Sequence, residues 1–188
     1  MIELLKGGLR LSKGESMNHV TGMDMQDFIY AMKQYGDAAW KYAFFLTKKK
    51  EIADDIAQEA MVKAFKNIGN FRGDSSIEAW LLKIVRNTWY SYRKTAYFRK
   101  VALIGDKNCS STGPSAEDQY FAQLITNEVW KIVLSLSRKY REVLILHGYY
   151  QLTIKEISNT LGISENTVKS RLYRAKTEAI KKLKEVDL

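Results

Sequence analysis

The chain has 188 residues, 46% of them hydrophobic, with a single proline. This excludes a disordered polymer and allows one ordinary domain or two small ones. Lys and Arg number 30 against 21 Asp and Glu, a formal net charge of +9 that favours polyanionic partners, either nucleic acid or an anionic membrane surface. The one cysteine, Cys109, excludes an internal disulfide and has no companions at metal-ligand spacing, a usage that fits a reducing cytoplasm.

Residues 1–24 carry no stable periodicity and read as a mobile extension; Met17, Met23 and Met25 offer later natural starts. The apolar residues near Met1 are broken by Lys6, Gly7, Gly8 and Arg10, unlike a secretory segment. No apolar run approaches the roughly 20 residues that span a bilayer, so no direct membrane insertion is expected. Residues 25–100 read as a helical domain. Phe28, Ile29, Met32, Tyr35, Ala39, Tyr42, Ala43 and Leu46 step by three and four, and Ile52, Ile56, Ala60, Ala64 and Ile68 step by four over a helix at about residues 50–67. Residues 69–76 form a Gly- and Ser-rich loop, with Ser75 or Ser76 placed to cap the next helix, which carries Ile77, Trp80, Leu81, Ile84 and Val85. Residues 101–117 are small, polar and turn-rich, hold the only proline and read as a flexible linker. Helices resume at about 116–135 and near Ser137, opening a second domain over residues 118–188. No alternating strand pattern appears, so the expected class is all-α: two small helical domains joined by a flexible linker.

The sharpest local signal lies at residues 153–175. Thr153 and Glu156 stand at capping-box spacing, Ile154, Ile157 and Leu161 share a face, and Gly162 suits a left-handed helix end. Ser164 can cap a second helix with an apolar stripe of Val168, Leu172, Ala175, Ala179 and Leu183. On a helical wheel Asn166, Ser170, Tyr173 and Arg174 point away from that stripe, with Thr167, Lys169 and Arg171 on the flanks. This is the distribution of a helix-turn-helix whose second helix enters the major groove and offers donors to base edges and phosphates. Alone, the motif says only that the chain binds DNA.

A second signal is aromatic and basic. Trp80, Trp89, Tyr90, Tyr92, Tyr97 and Phe98 interleave with Lys83, Arg86, Arg93, Lys94, Arg99 and Lys100. Unpaired bases stack on aromatic faces while cations follow the backbone, so the mixture suits melted DNA. Trp80 shares the stripe of Ile77 and Ile84 and reads as core; Trp89 and Tyr92 are equally suited to core or DNA contact.

Two blocks in order carry a family likeness: Ala53-Asp54-Asp55-Ile56-Ala57-Gln58-Glu59-Ala60-Met61-Val62-Lys63-Ala64-Phe65, Phe71-Arg72 and Ala79-Trp80-Leu81-Leu82-Lys83-Ile84-Val85-Arg86-Asn87, and then Tyr140-Arg141-Glu142-Val143-Leu144 with the helix-turn-helix. Over residues 27–184 the chain resembles the sigma-70 family, specifically its extracytoplasmic-function (ECF) group of RNA polymerase sigma factors. The resemblance implies that Asp54, Asp55, Gln58 and Glu59 dock on the clamp helices of core RNA polymerase. It implies that Phe71, Arg72 and Ser75 belong to a loop that captures an unpaired base of a melted −10 element, that Asn87 reads a base, and that Arg86, Arg93 and Lys94 hold phosphates. Tyr90 joins this −10 group. Asn166, Thr167, Lys169, Ser170, Arg171, Tyr173 and Arg174 are then the −35 readers on promoter duplex. Leu144, Ile145 and Tyr149 are candidates for docking on the polymerase flap or for core, Leu144 reading as core. Ser91 departs from the family, where many relatives have an acid, and Ser158 stands where alanine is usual. An anti-sigma factor is an implied partner.

A competing reading is a free-standing helix-turn-helix regulator that binds operator DNA as a dimer, but it gives no role to the acidic helix or to the aromatic-basic segment. Catalysis is not expected: His19 and His147 lack a nucleophile or metal cluster, and Asp54, Asp55 and Glu59 on one helix face make a poor magnesium site. No cofactor is expected.

Overall fold

The computed structural model describes the backbone of residues 25–102 and 127–186. Within them are seven α-helices: α1 (Met25–Thr47), α2 (Lys50–Asn67), α3 (Ile77–Ala102), α4 (Glu128–Ser135), α5 (Arg138–Gly148), α6 (Ile154–Leu161) and α7 (Glu165–Val186), with one 3₁₀ turn at Ile68–Asn70. The expected N-terminal extension, most of the linker with Cys109, the segment 116–126 and the side chains of Tyr97 and Phe98 lie outside the described residues. No strand occurs among the described residues, and no helix is long and apolar enough to cross a membrane. The helix α3 runs two residues into the segment read as linker.

Helices α1, α2 and α3 pack mutually. The face that α2 turns inward is built from Ala53, Ile56, Ala57, Ala60 and Ala64, and the short side chains let its backbone approach α1 closely. Tyr42, Phe45 and Leu46 of α1 and Leu81, Leu82 and Val85 of α3 fill the space this leaves. Ser76, one of the two expected caps, starts α3 by accepting from the Ala79 N–H at 3.2 Å. Phe71 leans on Trp80 with ring centroids 5.4 Å apart, which pins the preceding loop to α3.

The C-terminal helices gather on α7, which meets α4, α5 and α6. Asn127 caps α4 by accepting from the Val129 N–H at 2.9 Å. The buried Arg141 donates to the carbonyls of Leu134 and Leu136 at 3.0 and 3.4 Å, satisfying the end of α4 from inside α5. The two groups of helices also touch, α1 against α5 and α3 against α6.

Candidate nucleic-acid interface

The helix-turn-helix forms from its local signals. Thr153 Oγ1 accepts from the Glu156 N–H at 3.2 Å, and Glu156 Oε2 accepts from the Thr153 N–H at 3.0 Å, closing the capping box. Gly162 ends α6 at φ 65°, ψ 39°, the left-handed region that disfavours side chains with a Cβ. Ser158 fits the turn because its hydroxyl donates to the Ile163 carbonyl at 2.6 Å. Ser164 then caps α7 by accepting from the Thr167 N–H at 3.2 Å.

This geometry fixes which side of α7 faces outward. Val168, Leu172, Ala175 and Ala179 are buried. Asn166, Lys169, Ser170 and Arg174 are exposed, and Tyr173 is 75% exposed, an unusual position for a tyrosine without a partner surface. Thr167 and Arg171 are half-buried on the flanks. The expected −35 residues therefore share one exposed ridge and its edges.

The expected −10 residues divide into two sets. Arg72, Asn87, Arg93 and Lys94 are exposed, and Arg93 lies over the Trp89 ring at 5.7 Å. Phe71 and Ser75 are half-buried in the loop before α3. Trp89 and Tyr92, equally suited to core or contact by sequence, are half-buried and stack on each other at 5.9 Å. Arg86 and Tyr90 are turned toward the C-terminal helices. Arg86 sits over the Tyr90 ring at 4.6 Å and pairs with Glu142 of α5 at 3.7 Å, while the Tyr90 hydroxyl reaches Glu142 at 3.5 Å. Arg138 covers the Tyr90 ring at 5.2 Å. Burial raises the Glu142 carboxyl, against the pull of Arg86, Arg138 and Arg141.

Asp54, Asp55, Gln58 and Glu59 are all exposed on α2, opposite its alanine face. Asp54 accepts a hydrogen bond from the Trp40 indole, and Glu59 pairs with Lys63 at 2.7 Å. Val62 and Phe65, 49% and 46% exposed, prolong this face by two steps, and sequence reasoning gave them no role. Their signal was available: both are apolar yet stand off the Ala53–Ile56–Ala60–Ala64 stripe. Leu144 and Ile145 are buried, and Tyr149 is half-buried and packs on Phe45, Trp130 and Tyr150. His147 Nδ1 lies 3.3 Å from the Leu152 carbonyl oxygen, and the described residues hold no cluster of three metal-ligating side chains.

Comparison with known proteins adds a lineage to this geometry. Residues 31–98 match the sigma-70 region 2 family and residues 126–178 match sigma-70 region 4. The chain is 31% identical to RNA polymerase sigma factor YlaC of Bacillus subtilis over 80% of its own length and 88% of that protein's. It is 26% identical to the ECF RNA polymerase sigma factor SigW of the same organism, over 87% of this chain and 92% of SigW. Among solved structures, the sigma factor RpoE of Bartonella quintana, crystallised with the anti-sigma factor NepR, superposes with a TM-score of 0.67 at 26% identity, covering 85% of this chain and 98% of that one. CnrH, solved with the cytosolic domain of CnrY, shares the fold with a TM-score of 0.61 at 21% identity over 86% of this chain and 90% of that one. The N-terminal match has no place in a free-standing helix-turn-helix regulator. The chain belongs to the sigma-70 family of RNA polymerase sigma factors, in its ECF group.

Proposed function

We infer that this chain directs core RNA polymerase to particular promoters, in a reducing cytoplasm, and performs no chemistry of its own. The observation that carries this reading is the ridge on α7: five polar or aromatic side chains, Asn166, Lys169, Ser170, Tyr173 and Arg174, stand exposed on a helix whose opposite face is fully committed to core. Such a helix fits the major groove of a −35 duplex, with Arg174 suited to a bidentate contact with guanine and Thr167 and Arg171 reaching the groove walls. Arg72, Asn87, Arg93 and Lys94, with Phe71 and Ser75 in the loop, form the surface for the −10 strand, and Arg86 and Tyr90 join it when Glu142 releases them. The acidic face of α2, extended by Val62 and Phe65, docks on core polymerase at a basic surface. An anti-sigma protein is the expected inhibitor, since RpoE of Bartonella quintana was solved with the anti-sigma factor NepR.

The decisive experiment is transcription in vitro with core polymerase and a promoter library. The chain should confer specific initiation, and Arg174→Ala should weaken dependence on one −35 position by about 1–3 kcal/mol. Failure to bind core polymerase, together with saturation of a symmetric duplex by the chain alone, would overturn the reading.

A further inference from the structure

Lys63 of α2 stands between two functional surfaces. Its Nζ pairs with Glu59, one turn back on the same helix, at 2.7 Å, and donates to the Thr88 hydroxyl of α3 at 3.3 Å. Thr88 is 1% exposed, so its hydroxyl is a fixed acceptor that holds the ammonium at the seam between α2 and α3. Asn87 and Ser91, both exposed, form the stripe of α3 beside Thr88. Lys63 thus brings a positive charge to the edge of the −10 surface from a different helix than Arg93 and Lys94, and its side chain stays 40% exposed. On the other side its partner Glu59 belongs to the acidic face of α2, where it is exposed beside Asp55 and Gln58.

We propose that Lys63 binds a phosphate of the −10 strand and that polymerase docking sets its availability: Glu59 holds the ammonium in the free chain, and the basic surface that takes Glu59 releases it to the DNA. This rests on the reading of Glu59 as a polymerase contact and of Asn87 as a −10 contact. The exchange is physically easy. Glu59 and Lys63 are an exposed pair one turn apart on a helix, and such a pair changes an equilibrium by only about twofold. A carboxylate engaged on a basic partner attracts a second cation less, because part of its charge is already neutralised. A phosphate then replaces Glu59 as the anion on Lys63, while Thr88 keeps the ammonium in place. One ion pair is exchanged for two, Glu59 with polymerase and Lys63 with DNA. Docking and strand capture therefore favour each other, and a bound strand strengthens docking by the same factor.

The test follows a fluorescein-labelled single-stranded oligonucleotide, carrying a −10 sequence selected from the promoter library, by fluorescence anisotropy over a salt series. Lys63→Gln removes the charge and keeps a polar head; Lys63→Arg keeps the charge; circular dichroism confirms that both fold. In the complex with core polymerase, Lys63→Gln should bind the strand several-fold more weakly. Its plot of log affinity against log salt should be shallower by about 0.7, the share of one phosphate on a single strand. Lys63→Arg should restore the slope. A Lys63→Gln slope equal to the parent's overturns the phosphate contact, since a structural role would weaken binding without changing the counterions released. The release is read in the free chain. Glu59→Gln should bind the strand about twofold more tightly, and that gain should at least halve when Lys63 is also Gln. No gain, or a gain of the same size in both backgrounds, overturns the exchange, because it then reflects only one negative charge fewer near DNA. A parent polymerase complex that ignores the strand refutes the −10 reading itself. One that binds it with a slope indifferent to Lys63 refutes the role of Lys63 alone.

Discussion

Glu78 offers a direct measure of the contact between α3 and α6. It lies in the first turn of α3, its Oε1 is buried without a hydrogen-bond partner among the described residues, and its titration is moved from 4.5 to about 7 by burial and then by the charge of Glu156. In the unfolded chain it titrates near its ordinary value. Between those two pH values the folded state holds a proton that the unfolded state has released, so stability falls as pH rises through this window. Below it the contribution is neutral, and above it the ionised carboxylate opposes folding in full. At about 1.4 kcal/mol per pH unit the ceiling is roughly 3 kcal/mol, and solvent relaxation brings the expected effect to about 1–3 kcal/mol. The perturbation is Glu78→Gln, which keeps the shape and removes the titration. Urea denaturation of both proteins from pH 4.5 to 8 should show stabilities that diverge as pH rises, the variant being the more stable at the alkaline end. Parallel profiles would show that Glu78 is solvated, and that neither burial nor the charge of Glu156 acts on it.

Gly162→Val should lower stability by about 1–2 kcal/mol, because nothing within 4 Å of an added Cβ would clash and the penalty is the left-handed backbone alone. Gly162→Asn should lose less, and equal losses by urea midpoint would contradict the backbone explanation. Leu144→Ala should cost about 2–5 kcal/mol, as for a fully buried leucine; unchanged stability with weakened polymerase binding would return Leu144 to the flap. Asp54→Asn retains an oxygen for the Trp40 indole and removes only the charge, so stability should change by less than about 0.5 kcal/mol. Its binding to core polymerase should weaken several-fold at 0.1 M salt and match the parent near 1 M, where the screening length falls from about 10 Å to about 3 Å. A deficit independent of salt, measured by fluorescence anisotropy, would mean that Asp54 acts through shape instead of charge.

The C-terminal motif was legible in the sequence because every device in it is local. Thr153 and Glu156 are three residues apart, Gly162 sits at a helix end, and Val168, Leu172 and Ala175 repeat at helical spacing. The acidic face of α2 was legible for the same reason, since helical spacing alone sets Asp54, Asp55, Gln58 and Glu59 on the side opposite the alanines. The division of the −10 residues was not legible. Arg86 and Tyr90 are four apart on α3, as Asn87 and Ser91 are, and nothing in that spacing tells which pair meets another helix. The partner of Arg86 is Glu142, 56 positions along the chain, beyond the reach of any periodicity. Leu144 and Ile145 were ambiguous between core and docking for a related reason: a helix buried on several sides has no polar face to orient it.

Glu156 shows how the local and distant levels meet in one side chain. One carboxylate oxygen closes the capping box at the start of α6, and the other accepts from the residue that caps α3. Both helices present their positive ends to this carboxylate, which favours the charged form. Burial alone would raise its titration, but the donors from Thr153 and Ser76 outweigh burial and hold it below the ordinary value. Glu78, close enough to feel that charge and without donors of its own, is driven the other way. Two glutamates of like intrinsic acidity are thus driven apart, Glu156 toward its ionised form by the donors around it and Glu78 toward its neutral form by burial and the charge of Glu156. The capping box therefore does more than start a helix: it supplies the fixed negative charge against which the other half of the molecule is positioned.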